Sequence, residues 1–198
     1  TIRENVCSLE RGRMQTHLRL CRDDSSHVRL ALAKATRFDS VQAILLNDPA
    51  LEVRQALATS SYLTVASAES MLAHPDVETR IALSTNYKLD PLIIERFSLK
   101  EDPRVLAGLI GNFSISDAMI QRIIENCPQE VQIGLLKNHK KLTREFYLQY
   151  GNKLHPTLLA HIARLGGIGG KILNELVVHP DPIVRRGVAK RLGSGGFF

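Results

Sequence analysis

The chain of 198 residues has no tryptophan, and aromatic residues make up only 5% of it. Proteins that stack nucleic-acid bases on their surface use aromatic rings for this purpose, so the scarcity disfavours a base-stacking platform. A DNA glycosylase built from helical repeats would need an aromatic-lined cleft around a carboxylate to hold an extruded base. No segment of the sequence has this composition, and we expect no enzyme of that kind.

Cysteine is also scarce, because only Cys7, Cys21 and Cys127 are present. Three scattered cysteines cannot form the disulfide framework of a small secreted domain. There is also no run of 18 apolar residues and no leader with a cleavage site. We therefore predict a soluble, cytoplasmic protein that does not contact membranes.

The usual sequence signatures of catalysis and cofactor binding are missing too. There is no nucleophile elbow, phosphate-binding loop or dinucleotide glycine pattern. The glycine-rich run at 166–170 is followed by Lys171 and Ile172 rather than by a serine or threonine, so it predicts a turn between helices. Cys7, His17 and Cys21 could supply three metal ligands, but structural zinc normally has four in tight pairs. We predict a protein that is not an enzyme and has no metal or cofactor.

What the sequence does contain is one phrase that returns at a nearly constant period. Each copy is centred on one residue, which we call its anchor. The anchors are at positions 3, 29, 54, 80, 106, 132, 159 and 185, so the steps between them are 25 to 27 residues. Seven near-equal steps indicate a repeat protein. The clearest copies are Val28-Arg29-Leu30-Ala31-Leu32-Ala33, Val53-Arg54-Gln55-Ala56-Leu57-Ala58, Thr79-Arg80-Ile81-Ala82-Leu83-Ser84 and Val184-Arg185-Arg186-Gly187-Val188-Ala189.

Each copy predicts an amphipathic helix with one buried face. The residue before the anchor and those two and three after it share one side of a helix. The middle member of this face is small in six of eight copies, which predicts close contact between neighbouring helices at Ala31, Ala56, Ala82, Gly108, Gly134 and Gly187. Between anchors lies a second apolar stretch in most repeats: Val41 to Leu46, Ala68 to Leu72, Leu92 to Phe97, Met119 to Ile124, Phe146 to Leu148 and Ile172 to Val178.

The expected fold is therefore all-α, with about eight two-helix repeats of roughly 26 residues in a single domain spanning residues 1–198. A unit this small cannot bury its apolar faces alone, so stacked neighbours must build the core. Thr1 falls inside the first copy and is not Met, which favours a piece of a longer protein.

Polar residues predict where the helices begin and end. Aspartate before proline should cap helix starts at Asp48-Pro49, Asp102-Pro103 and Asp181-Pro182, because the missing proline N–H costs nothing in the first turn. Asn86, Asn112 and Asn138 each stand six residues past an anchor. We expect them to end helices in the left-handed conformation.

The combined pattern of Asp-Pro, Val-Arg, Ala-Leu-Ala and Asn resembles the leucine-rich repeat variant family, a short-period relative of HEAT-like repeats, over nearly the whole chain. The resemblance implies a right-handed α-solenoid in which an α-helix is paired with a shorter, sometimes 3₁₀, helix. Members of that family can carry an iron-sulfur cluster on clustered N-terminal cysteines. Only Cys7 and Cys21 lie near the start of this chain, so we expect no cluster.

Charge provides the candidate binding residues. The net charge is +6, and residues 151–198 carry +5 of it, whereas residues 1–50, 51–100 and 101–150 carry +2, −1 and 0. The position five residues past each anchor should form an exposed column, and its last three members are basic. With Arg186 beside them, they form a candidate site consisting of Lys137, Arg164, Arg186 and Lys190.

We predict a non-enzymatic scaffold whose candidate site binds a protein partner of acidic character. The alternative is nucleic-acid binding through the same C-terminal basic surface, and a merely solvated helix face accounts for the same pattern. The anchor residues Arg3, Arg29, Arg54, Arg80 and Arg185 raise a similar choice. The last four have an acid four to six positions upstream, and we expect these pairs to tie the helix starts to neighbouring turns rather than to bind phosphates. Partner identity and oligomeric state are left open by the sequence.

Overall fold

In the computed structural model, residues 12–165 and 168–193 are described, and these residues form helices and connecting turns without a strand. The all-helical class predicted from the repeat is confirmed. The chain divides into two compact units, Thr1–Phe97 and Ser98–Phe198, which we call unit 1 and unit 2.

In unit 1, α2, α4 and α6 are the inner helices, and each packs against the next one. The outer helices α3, α5 and α7 coincide with the second apolar stretches, so the predicted alternation of two helices per repeat holds here. The elements of this unit are α1 (residues 12–20), α2 (Ser26–Ala35), α3 (Asp39–Leu45), α4 (Leu51–Ala58), α5 (Val65–Leu72), α6 (Val77–Ser84) and α7 (Pro91–Ile94).

In unit 2 the inner elements again contact each other in sequence, but one of them is a 3₁₀ helix, Gln129–Lys137. It packs between α8 and α11, and α11 packs against α13. The α-helices of this unit are α8 (Pro103–Ile110), α9 (Asp117–Asn126), α10 (Arg144–Tyr150), α11 (Pro156–Arg164), α12 (Gly169–Val177) and α13 (Pro182–Gly193). Because α12 already begins at Gly169, with φ of 78°, the described end of the glycine-rich run starts a helix instead of forming only a turn.

The anchor residue of the 3₁₀ helix is Gln132, whose side chain is fully buried. Its amide nitrogen donates to the Lys153 carbonyl at 3.1 Å, and its amide oxygen accepts from the His155 N–H at 2.9 Å. These bonds hold the turn that leads into α11. Gln132 therefore helps to position the helix that carries Arg164.

The predicted inner face is buried in most copies. Ala56 and Ala82 are 7% and 9% exposed, and the flanking Leu57 and Leu83 are fully buried. Ala31 is an exception, because it is exposed in α2. The first copy, which contains Arg3 and Asn5, lies outside the described residues.

Close contact at the small residues is present in unit 2. A Cβ atom on Gly134 would lie 2.1 Å from the Ala107 carbonyl oxygen and 2.6 Å from Cγ2 of Ile110. A Cβ atom on Gly187 would lie 2.6 Å from the Ala160 carbonyl oxygen. None of these three distances is tolerated between non-bonded heavy atoms, so glycine allows these backbones to touch.

Acids cap the starts of α6 and α8, and the histidine His155 caps α11. Asp102 caps α8 as predicted, and the Asp181 carboxylate accepts the Ile183 N–H at 2.7 Å. The prediction for Asp48 was wrong, because α4 begins at Leu51 and its N-cap is Ala50. The histidine Nδ1 atoms accept a backbone N–H two residues ahead, at 3.1 Å in each case, for His74, His155 and His179.

The prediction that asparagine ends helices through left-handed backbone was wrong for Asn138, whose φ is −112°. Its amide instead donates to the Asn112 carbonyl of the preceding repeat at 3.0 Å. Asn86 donates in the same way to the carbonyls of Ala58 and Ser60 at 2.8 and 3.0 Å. The side chain of one repeat thus satisfies carbonyl groups at the end of the previous inner helix, which helical hydrogen bonding leaves unpaired.

The anchor arginines of the described residues, Arg29, Arg54, Arg80 and Arg185, make contacts within the fold, but the acid partners of Arg29 and Arg54 differ from the prediction. Arg29 pairs with Asp48 at 2.6 Å, and Arg54 pairs with Asp76 at 2.8 Å. Each acid belongs to the following repeat and not to the turn upstream. The upstream turn instead offers its carbonyl groups, since Arg54 also donates to the Asp48 carbonyl at 2.6 Å. Stacking of the repeats brings the acid of the following repeat next to each of these arginines, although the two residues are far apart along the chain.

Candidate functional site: a basic groove on unit 2

The candidate site is a groove between α11 and α13 that encloses about 230 Å³. Three of the four predicted site residues, Arg164, Arg186 and Lys190, line it. Its remaining lining consists of two polar residues and four apolar or small residues, and no acidic residue is among them. We call this feature the basic groove; its other lining residues are Thr157, His161, Leu136, Ala160, Ile183 and Gly187.

The two helices contribute to the groove in the same register. The contributing residues of α11 are Thr157, Ala160, His161 and Arg164, and those of α13 lie 26 positions later, at Ile183, Arg186, Gly187 and Lys190. Both sets follow the i, i+3, i+4, i+7 spacing of one helical face. The repeat therefore builds the groove by presenting the same face of two consecutive inner helices.

The floor of the groove is low because Gly187 has no side chain. Ala160 lies directly against it, and a Cβ atom on Gly187 would be 2.7 Å from the Ala160 Cα atom. Leu136 borders the same space from the 3₁₀ helix, and Ile183, which is 40% exposed, borders it at the start of α13. An apolar floor is thus framed by three cations.

Within the described part of unit 2, the cations of α13 fall into two groups. Arg185 donates to the carbonyls of His179 and Pro180 at 2.7 and 2.6 Å. Arg191 donates to the Leu165 carbonyl at 3.2 Å and so completes the end of α11. These two arginines serve the fold. Arg186 and Lys190 are exposed and make no hydrogen bond or ion pair with the described residues.

Lys137 and Arg164 belong to the second, unpaired group as well. Both side chains are exposed, and neither forms an ion pair or hydrogen bond with any described residue. Lys137 does not line the groove; it lies one residue beyond Leu136, at the end of the 3₁₀ helix. The four predicted site residues are therefore unpaired cations on consecutive inner elements of one unit.

The predicted exposed column is only partly correct. Lys34, Thr59 and Thr85 are exposed in unit 1, as are Lys137, Arg164 and Lys190 in unit 2. Gly111 is buried against the next repeat, since a Cβ atom on it would lie 2.9 Å from the carbonyl oxygen of Gly134. Sequence reasoning also did not find Thr157 and Ile183 as lining residues. Their signal is the helical spacing that they share with Arg164 and Lys190.

The residues considered for metal binding have structural contacts. The His17 Nδ1 atom is 3.1 Å from the Thr36 hydroxyl, and its ring packs edge-on against Phe38. The buried Cys21 thiol donates to the Leu18 carbonyl at 3.2 Å. Cys7 lies outside the described residues. In residues 12–165 and 168–193, no group of three or more His, Cys, Asp or Glu side chains is placed to hold a metal ion.

Cys127 is half-buried in unit 2, and burial raises the pKa of its thiol above the usual value. A thiol nucleophile needs a lowered pKa, so this environment works against reactivity.

Comparison of the chain with protein-family models, curated proteins and solved structures gave no match. None of the helices in the described ranges combines the length and the apolar character that crossing a bilayer requires.

Proposed function

We propose that this protein is a non-enzymatic helical-repeat scaffold that binds an acidic protein partner through the basic groove and the adjoining Lys137. The observation that carries the proposal is the set of unpaired, exposed cations on one face of unit 2. Like charges gathered on one surface attract an oppositely charged partner and raise its rate of association.

The composition of the groove favours a protein over a nucleic acid. Its floor consists of Leu136, Ala160, Ile183 and Gly187, and no phenylalanine, tyrosine or tryptophan ring lines it. Single-stranded nucleic acids are usually held by base stacking on aromatic side chains. An apolar floor framed by cations instead suits a polypeptide that carries both carboxylates and carbon-rich side chains. Nucleic-acid binding is the competing outcome of the experiment below.

The wider architecture belongs to the same proposal. The near-constant sequence period supports an α-solenoid of about eight repeats. Its resemblance to the leucine-rich repeat variant family implies that the solenoid is right-handed, and we propose that the protein acts in the cytoplasm. Contact between successive inner elements within each unit is consistent with it. A solenoid would offer a continuous surface on which exposed residues vary without disturbing the core.

The cation spacing suggests a suitable probe. Packed helices lie about 8–10 Å apart, so Lys137, Arg164 and Lys190 recur at roughly that interval. A polyproline II segment advances about 9 Å in three residues and turns once in doing so. A peptide with glutamate at every third position can therefore meet one cation after another along the same side.

The test is fluorescence anisotropy with a labelled peptide of this kind, whose spacer residues are serine and proline. The wild-type protein should bind it, and the Lys137→Gln, Arg164→Gln, Arg186→Gln, Lys190→Gln variant should lose at least tenfold in affinity. A matched control removes other exposed cations of unit 2, through Lys100→Gln, Lys140→Gln, Arg144→Gln and Lys171→Gln. This control should keep most of the affinity.

Two results would overturn the proposal. Equal losses in both fourfold variants would mean that net charge alone, and not the groove, attracts the peptide. Binding of single-stranded or duplex oligonucleotides at physiological salt, with a log affinity that falls linearly with log salt, and no peptide binding, would assign the surface to nucleic acid.

A further inference from the structure

The basic groove differs from a simple patch of charge because its cations surround an apolar floor. Its volume of about 230 Å³ is below the roughly 300–1,000 Å³ of pockets that bury a drug-sized ligand. The groove therefore suits one side chain of a larger partner better than a free cofactor or metabolite.

The floor is well suited to receive such a side chain. Ala160 and Gly187 form its lowest part, where the two helix backbones touch. Ile183 is 40% exposed, so its side chain offers apolar surface that the fold itself leaves uncovered. The side of the groove that carries Arg164, Arg186 and Lys190 is exposed to solvent, which gives an approaching chain access.

We propose that the groove seats a single aliphatic side chain of the acidic partner, flanked on the partner by carboxylates that pair with Arg164, Arg186 and Lys190. This inference rests on the proposed function, and it adds what distinguishes the true partner from any other acidic segment. Charge brings the segment to the surface, and the seated side chain selects it. Interfaces commonly gain most of their affinity from a few such buried anchors.

The chemistry of the surroundings argues for this pairing. A purely acidic segment would leave the apolar floor in contact with water or with its own polar backbone. A purely apolar segment would leave three cations desolvated without a partner, and burying an unpaired charge is costly. Only a segment that combines the two satisfies both parts of the groove.

The experiment compares two peptides in the anisotropy assay at physiological salt. The first is the serine and proline peptide with glutamate at every third position. In the second, one central serine is replaced by leucine and nothing else is changed. A leucine seated on an open floor gains part of its full transfer free energy, so we expect the second peptide to bind about tenfold more tightly.

Two matched substitutions locate the seat of the leucine. Ile183→Ser removes apolar surface at the edge of the groove and should abolish most of the tenfold advantage, measured as the ratio of the affinities of the same variant for the two peptides. Leu192→Ser removes apolar surface of similar exposure, 46%, from the same helix but outside the groove. This control should keep the whole advantage. Far-ultraviolet circular dichroism and melting curves check that both variants remain folded.

The outcomes separate this inference from the proposed function. If both peptides bind equally well and both lose affinity in the fourfold groove variant, the inference is overturned and the proposed function stands. If the advantage of leucine survives Ile183→Ser but disappears in Leu192→Ser, the seat lies elsewhere and the inference is again overturned. If neither peptide binds to the wild-type protein, both proposals fail.

Discussion

The two units present the same positions of the repeat on their inner helices, yet they carry different charges there. The face in question comprises the residues two before each anchor and one, two and five after it. In residues 12–97, the described part of unit 1, its charged members are Lys34, Glu52 and Glu78. In unit 2 they are five cations and one acid: Arg104, Glu130, Lys137, Arg164, Arg186 and Lys190.

The number of cations does not explain this difference, because unit 1 contains 12 lysines and arginines and unit 2 contains 14. What differs is how the cations are used. In unit 1, Arg29 and Arg54 at the anchors join neighbouring repeats through ion pairs. In unit 2, three of the four anchors, Leu106, Gln132 and Leu159, are uncharged, and the fourth, Arg185, donates only to carbonyl groups of the turn before it. Glycine contacts bring the helices together there. A lysine or arginine is therefore evidence of binding only when it has no partner within the fold.

The strongest way to break this comparison is to separate the touching backbones of unit 2. Gly134→Ala would place a methyl group against the Ala107 carbonyl, and we expect it to destabilise the protein by about 3 kcal/mol through overpacking. Urea denaturation measures the change. The control is Gly170→Ala in α12, where a Cβ atom meets nothing within 4 Å, and this change should be neutral or slightly stabilising. Equal stability of the two variants would show that unit 2 does not depend on close glycine contact.

A smaller effect should come from the ion pairs of unit 1 at low pH. Hydrogen bonds from the Arg54 guanidinium and the Thr79 hydroxyl lower the pKa of Asp76 from 3.8 to about 2. Because the folded carboxylate binds its proton less readily than the unfolded one, its stabilising contribution is complete above about pH 4 and is lost as the pH falls to about 2. The Asp76 side chain is 26% exposed, and solvent screening reduces the contribution to about 1 kcal/mol.

Denaturation curves at pH 2, 3, 4 and 6 test this linkage. Asp76→Asn should remove the corresponding part of the pH dependence, and Arg54→Gln should do the same by removing the main cause of the shift. If the pH profile of both variants follows that of the wild-type protein, the Arg54–Asp76 pair does not stabilise unit 1.

The smallest expected effect is a gain of binding in unit 1. Thr59 and Thr85 occupy the same repeat position as Lys137, Arg164 and Lys190, and they are exposed. We start from the fourfold variant in which Lys137, Arg164, Arg186 and Lys190 are replaced by glutamine. Adding Thr59→Lys, Thr85→Lys and Glu52→Gln to it should raise its affinity for the glutamate peptide a few-fold. The matched Thr59→Gln, Thr85→Gln protein should restore none. A full recovery would mean that cations suffice and the groove adds nothing.

The sequence predicted the features that depend on periodicity. The helical class, the burial of Ala56 and Ala82, and the exposure of Lys137, Arg164, Arg186 and Lys190 all follow from counting residues from the anchors. These predictions succeed because helix geometry fixes which positions share a face.

The close approach of neighbouring helices at Gly134 and Gly187 was predicted, but the side-chain contacts between repeats were not. Asp48 lies close to Arg54 along the chain, but stacking brings its carboxylate to Arg29 instead. Asn138 stands at the end of its own helix, as predicted, but the donation of its amide to the preceding repeat was not predicted. The 3₁₀ winding of Gln129–Lys137 also has no clear signal in its residues. Spacing along the chain describes one helix well, but it does not specify which atoms of two stacked helices meet.

The side chains that complete the ends of the inner helices give the stack a chemical direction. Ser60, Asn86, Asn138 and Arg191 each donate backwards, to carbonyl groups of the repeat before them. The donating groups differ in length and in the number of hydrogens that they can donate, from a serine hydroxyl to an arginine guanidinium. Each contact between two consecutive repeats is therefore specific to those two repeats. Repeats of nearly equal length are consequently not interchangeable modules, and a rearranged order would join helix ends to donors that do not fit them.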